Sequence, residues 1–213
     1  MIFDLHTHST LSDDSRASVE QYIKWITVLR RKGYNIDGFV LTEHRQFNFD
    51  IDYTQISKDN NVTILKGAEL DTDSGHFLVY GITEEIAKHI KFNDVNMSAT
   101  NLIDVCLSNG AIAVPAHPGR FGIGFIEYVD KGNFESINIV EHLNGSYRPG
   151  EQDRTEKLIS DKGYLGIGGS DAHMVSAIGT CLTKFDHDIT TEKELVKALT
   201  SKKFKAIKLE DTK

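Results

Sequence analysis

The stretch Met1–Asp14, MIFDLHTHSTLSDD, sets the pattern for the chain. Its first half, Ile2-Phe3-Asp4-Leu5, is a short apolar strand that runs straight into His6-Thr7-His8, with Asp13 close behind. Side chains two apart on an extended backbone project to the same side, so His6 and His8 can face one point in space. Two imidazoles at a strand end are a bidentate handle for a divalent metal. The same unit, an apolar strand ending in a metal-capable side chain, recurs along the remaining residues.

Strand-like and helix-like segments alternate from end to end. Val19, Tyr22, Ile23, Ile26 and Leu29 recur at helical spacing, and Gly33 stands where such a helix would end. Strands are predicted at Asp37–Thr42, Asn61–Leu70 and His76–Ile82, the last two joined through Asp71–Gly75. A helix over 98–109 closed by Gly110 leads into a strand at Ala111–Pro115. A short helix is expected over 122–132, a strand at Ser136–Val140, a helix at Glu151–Lys162 closed by Gly163, and a strand at Tyr164–Gly168. Thr191 and Glu194 form a capping box for a last helix through Ser201, before a final strand at Phe204–Leu209. Gly33, Gly110 and Gly163 each separate a helix from an apolar strand, the punctuation of repeated β/α units. No repeat, linker or low-complexity segment divides the chain. Its 213 residues suit one domain, 1–213, built on a barrel or open sheet.

Hydrophobic and charged fractions of 39% and 26% are those of an ordinary soluble globular protein. A formal charge of −7 argues against a long nucleic-acid partner, although bound divalent ions would cancel much of it. Cys106 and Cys181 are too few for a disulfide framework and form no Cys-x-x-Cys, which fits a reduced, cytoplasmic compartment. No apolar run reaches membrane-spanning length, and Asp4 and His6 stand where a signal peptide needs apolar residues, so no membrane partner is expected.

The metal-capable residues fall just past the apolar runs. His44 follows Val40-Leu41-Thr42, Glu69 follows Ile64-Leu65, His117 follows Val114-Pro115, Glu141 follows Ile139-Val140, and Asp171 and His173 follow Leu165–Gly168. In a β/α barrel the C-terminal strand ends converge on the face where active sites are built. A set of His, Asp and Glu without Cys favours zinc, manganese or iron, and more than one ion. Glu69, a lone carboxylate among imidazoles, is suited to bridge two of them. Two ions about 3.5–4 Å apart can hold a hydroxide and clamp a phosphate. No side-chain nucleophile stands out, and Ser9, Thr10 and Ser12 lack a partnered base. Arg120, two residues past Pro115-Ala116-His117-Pro118, is apt for gripping a substrate phosphate; Arg45 beside His44 is a second candidate. Glu141 reads as support for a histidine.

Six motifs occur in one order: DLHTHSTLSD at 4–13, LTEH at 41–44, GAEL at 67–70, GHFLVYG at 75–81, PAHP at 115–118 and GSDAH at 169–173. In these the sequence resembles, over nearly its whole length, the PHP (polymerase and histidinol phosphatase) superfamily of metal-dependent phosphoesterases. The resemblance implies an α/β fold, a distorted seven-stranded (β/α)7 barrel, and two or three divalent ions. By it His6, His8, Glu69 and Asp171 would hold one metal, Glu69, His117 and His76 a second, and Asp13, His44 and His173 a third. Two positions depart from the family pattern: Glu43 replaces the usual Asp, and Asp14 stands where glycine is common. The implied activity is hydrolysis of phosphate esters by metal-bound hydroxide, foremost a phosphomonoesterase acting on a small phosphorylated metabolite or nucleotide. Glu69, Arg120 and His173 are then the catalytic candidates, and Arg120 and Arg45 the substrate-binding ones. The alternatives are a phosphodiesterase or exonuclease on short oligonucleotides, and a non-catalytic metal-binding module. Without an HExxH helix, a zinc peptidase has no support.

Overall fold

In the computed structural model, which describes residues 1–213, the strand that opens the chain lies inside a seven-stranded sheet. The order of elements is β1 (Ile2–Thr7), α1 (Val19–Arg31), β2 (Gly38–His44), α2 (Thr54–Asn60), β3 (Thr63–Thr72), β4 (Gly75–Tyr80), α3 (Glu84–Ala87), α4 (Ala99–Ser108) and β5 (Ile112–Pro115). It continues with β6 (Ile139–Asn144), α5 (Glu151–Lys162), β7 (Leu165–Gly169), β8 (Cys181–Phe185), α6 (Glu192–Thr200) and β9 (Phe204–Lys208). The large sheet runs β5-β4-β3-β2-β1-β8-β9, and β6 and β7 form a separate parallel pair. Within the large sheet, β1–β2 and β2–β3 are parallel and the other pairings antiparallel.

The fold is therefore α/β, with one curled sheet forming a half-barrel. The expected distorted seven-stranded (β/α)7 barrel is matched in part: nine strands form two sheets, and no ladder joins β5 to β6 or β7 to β1. Burial brings the two sheets together instead. Phe3, Leu5, Val40, Leu65, Leu78, Val114, Ile139 and Ile167, drawn from all of β1 to β7, share one core, which Leu195, Val196 and Leu199 of α6 seal. Alternation along each strand sends these side chains inward.

At its C-terminal end β7 is stitched to β1 by single bonds. Asp171 donates its N–H to the His6 carbonyl at 2.8 Å, and His8 donates to the Ala172 carbonyl at 3.0 Å. The buried Asp4 carboxylate accepts the N–H groups of Ser170 and Gly179, both at 2.8 Å, and that of His6 at 3.3 Å. Tyr22 of α1 donates its hydroxyl to the carbonyls of both His8 and Ala172. Gly169 makes the approach possible, because a Cβ there would lie 2.3 Å from the His6 Cβ. Only glycine fits this contact.

Elsewhere the structure departs from the expected elements in identifiable ways. α2 buries none of its side chains and β8 is a five-residue strand, so neither carries a periodic signal. The helix expected over 122–132 is reduced to a 3-10 turn at Phe125–Glu127. β6 begins at Ile139 and runs to Asn144, which puts Glu141 inside a strand. Both cysteines are free, and burial pushes each thiol up to about 12, so neither is reactive. No helix is long and apolar enough to cross a membrane.

Asp4 sets the stability of this seam. Burial pushes its carboxyl up to about 6 from 3.8, so folding takes up a proton between those values and stability falls as pH rises across them. Asp4→Asn must turn an amide NH2 toward at least one of three backbone N–H donors, so a loss of about 1–3 kcal/mol is expected. Urea denaturation would measure it, and an unchanged midpoint with the same pH slope would contradict the assignment.

Candidate metal centre

Glu69 stands near the end of β3, with its side chain almost wholly buried. Its Oε2 lies 3.2 Å from His6 Nε2, 3.3 Å from His8 Nε2 and 3.1 Å from His44 Nδ1. Its Oε1 lies 2.8 Å from His117 Nε2 and 3.0 Å from His76 Nδ1. Strand register explains the convergence. His44 is the direct partner of Glu69 across β2 and β3. β4 runs antiparallel to β3, so His76, which opens a strand, pairs with Asp71 at the rim where β3 ends.

Three groups of donors result: His6, His8, Glu69 and Asp171; Glu69, His76 and His117; and His8, His44 and His173. In the first, the distances of His6 Nε2 and His8 Nε2 from each other and from Glu69 Oε2 and Asp171 Oδ1 all lie between 3.0 and 3.5 Å. A tetrahedral ion with bonds of about 2.0–2.1 Å sets its donors about 3.3–3.4 Å apart, so these residues fit one. The His8 ring stacks between His44 and His173, with centroids 4.1 and 4.3 Å away.

Asp13 does not join the third group. Asp14 meets two of its members instead, with Oδ2 3.3 Å from His44 Nε2 and 3.2 Å from His173 Nε2. The reason is a turn in which Ser15 donates its N–H to the Ser12 carbonyl, leaving positions 13 and 14 as its corners. Asp13 instead lines an outer cavity beside Arg45.

A ring of partners orients the donors. Glu141, fully buried, faces His6 Nδ1 at 2.9 Å and accepts the His117 N–H at 2.7 Å and the Asn144 amide at 3.0 Å. A proton on Nδ1 leaves the His6 Nε2 lone pair facing the first donor group. Sequence reasoning missed Glu43, whose carboxylate accepts the N–H and hydroxyl of Ser9 and the hydroxyl of Ser12. Ser12 Oγ also accepts the His44 N–H and lies 3.4 Å from His8 Nδ1. The departure from Asp at this position was the one available signal. Arg120 donates Nη2 to Asp171 Oδ2 at 2.9 Å and to Ser146 Oγ at 2.6 Å. Arg45 pairs with Asp71, whose other oxygen is 3.4 Å from His76 Nε2.

Backbone strain gathers at the same rim. Arg45, His117 and Asp171 have φ of 52°, 30° and 53°, left-handed values that cost non-glycine residues about 1–3 kcal/mol each. Each is held by its own N–H, bonded to the Glu69 carbonyl, the Glu141 carboxylate and the His6 carbonyl respectively.

The field of the pocket favours added positive charge. Burial opposes a charged His6, yet Glu141, Asp171 and Glu69 raise it well above the usual imidazole range. Burial likewise opposes the Glu69 carboxylate, and His6, His117 and His44 hold it well below its usual range. His117 responds chiefly to burial, which lowers it and keeps the ring neutral. Its Nδ1 is buried without a partner. Imidazoles and carboxylates around such a volume are the donor chemistry of zinc, manganese or iron.

A PHP-associated family model matches residues 149–204, which hold α5, β7 and GSDAH. That match covers about a quarter of the chain, in its C-terminal part. Three solved structures share its fold. PsfC from Pseudomonas syringae superposes with a TM-score of 0.67 at 19% identity, over 99% of this chain and 92% of that one. A two-domain protein from Bacteroides vulgatus, described as containing a predicted PHP-like metal-dependent phosphoesterase, gives 0.65 at 17% identity over 99% and 65% of the two chains. The lesion-specific endonuclease EndoQ from Pyrococcus furiosus gives 0.67 at 14% identity over 97% and 58%. This chain thus spans about two thirds of the second protein and less of the third. A search of curated proteins finds no match.

Glu141 offers a direct check on this centre. Glu141→Gln must point an amide NH2 at either His6 Nδ1 or the His117 N–H, and a 10–100-fold loss of zinc affinity is expected. Competition with a chromogenic chelator would measure it; wild-type affinity would remove Glu141 from any orienting role.

Proposed function

We propose that this chain is a metal-dependent phosphoesterase whose substrate is a small phosphorylated metabolite or nucleotide, cleaved as a monoester. The observation that carries the reading is Glu69, whose two oxygens face two separate donor groups and so can bring two cations side by side. When bound, two or three divalent ions (zinc, manganese or iron) would supply a polarised water and neutralise phosphate charge.

The remaining work falls to the chain. Glu69 keeps the two donor groups in register. Arg120, a quarter exposed, is anchored through Nη2 alone, and its other N–H groups can reach a phosphate oxygen. Arg45, fixed by Asp71, supplies positive charge across the rim. His173 faces the Asp171 carbonyl through Nδ1, and Asp14 and His44 through Nε2. Both nitrogens are engaged, so the proton for the leaving oxygen comes from a water, and His173 acts as a cation ligand. Beside this rim a cavity of about 530 Å³, lined by Asp13, His44, Arg45, Phe47, Phe92 and Asn93 among others, has room for a small molecule.

A second reading is cleavage of phosphodiesters in short oligonucleotides, favoured by the fold shared with EndoQ. The net charge of −7 weighs against long nucleic acid as substrate. The two readings separate in a screen of metal-stripped protein reloaded with zinc, manganese or iron, using a nucleoside monophosphate and bis(p-nitrophenyl) phosphate. Phosphate release from the monoester is expected. Cleavage of the diester alone would favour the second reading, and silence with metals bound would leave a binding module. In the active form, His6→Ala and Asp171→Ala should each lower turnover at least about a hundredfold while the fold persists. Near-normal turnover in either would remove the centre from the chemistry.

A further inference from the structure

We infer that Asp14, and not its neighbour Asp13, completes the outermost cation site of this protein together with His44 and His173. The family pattern points to Asp13, so the assignment rests on this chain's own geometry. Asp14 Oδ2, His44 Nε2 and His173 Nε2 form a nearly equilateral triangle with sides of 3.3, 3.2 and 3.3 Å. An ion with bonds of about 2.0–2.1 Å places the donors on one tetrahedral face about 3.3–3.4 Å apart. The triangle has that size.

Proton accounting leads to the same place. His173 Nδ1 lies 2.9 Å from the Asp171 carbonyl, which can only accept, so that nitrogen carries the hydrogen. His44 Nδ1 lies 3.1 Å from Glu69 Oε2, a carboxylate oxygen that accepts, so it too carries the hydrogen. In the neutral rings both Nε2 atoms are then bare lone pairs, and they converge with a carboxylate oxygen. Three acceptors at such distances repel one another unless a cation lies among them.

The loop prevents Asp13 from exchanging places with Asp14. Ser12 is tied to Glu43 through its hydroxyl, and Ser15 donates its hydroxyl to the His8 carbonyl at 2.7 Å. Both ends of the turn are pinned, which fixes which corner faces the histidines. Asp14 is 54% exposed, so an ion held there is open to water or substrate on its outer side.

This inference rests on the reading of the centre as a divalent-cation site and on no particular substrate. Its test is a count of zinc per chain, by elemental analysis, after the protein is stripped, reloaded and freed of excess metal. Asp14→Asn should hold one zinc fewer than the unaltered protein, and Asp13→Asn should hold the full number. Asp14→His, which returns a nitrogen donor to the same corner, should recover the lost ion and guards against a folding defect. Loss of a zinc from Asp13→Asn, or a full count in Asp14→Asn, would overturn the assignment. Counting requires no turnover, so the result holds whether or not any phosphate ester is hydrolysed.

Discussion

A single buried carboxylate governs this structure. Glu69 meets five imidazoles, three through one oxygen and two through the other. An ionised carboxyl so deeply buried is costly unless opposite charge or strong donors surround it. That requirement accounts for the rest of the rim. The parallel register of β2 places His44 beside Glu69, and the antiparallel return of β4 brings back His76. β1 delivers His6 and His8 from the middle of the sheet. Glu69 is also the natural place for a shared ligand, because each of its oxygens belongs to a different donor group.

Bringing Asp171 to the same volume needs a seam that hydrogen-bonded strands do not provide. β7 docks on β1 through the Asp4 carboxylate, the Tyr22 hydroxyl and the missing side chain of Gly169. The left-handed backbone at His117 and Asp171 is part of the same arrangement, since each N–H is captured by a group that itself orients His6 or belongs to it. Local strain of this kind persists only where surrounding bonds over-determine it. Here they position ligands.

Much of this was legible in the residues alone. Strand ends carrying His6, His44, Glu69, His117 and Asp171 indicated convergence, and Glu151–Lys162 emerges as a helix with the expected bounds. Glycines 33, 110 and 163, read as helix stops, adopt the positive φ that such stops use. What escaped was set by contacts distant in sequence. β8 exists because β1 and β9 pair with it, and closure by packing instead of a ladder depends on Gly169 and Asp4 finding each other's neighbours. The choice between Asp13 and Asp14 turns on Ser12 and Ser15 being pinned by Glu43 and His8. A residue-by-residue carry-over from a motif cannot see that register.

The most direct test of the central place given to Glu69 is electron paramagnetic resonance of the protein reloaded with manganese. Two manganese ions sharing this carboxylate would lie about 3.5–4 Å apart and couple magnetically. The account predicts the spectrum of an exchange-coupled pair, converted to that of isolated ions by Glu69→Gln. A spectrum of uncoupled manganese in the unaltered protein at full loading would contradict it.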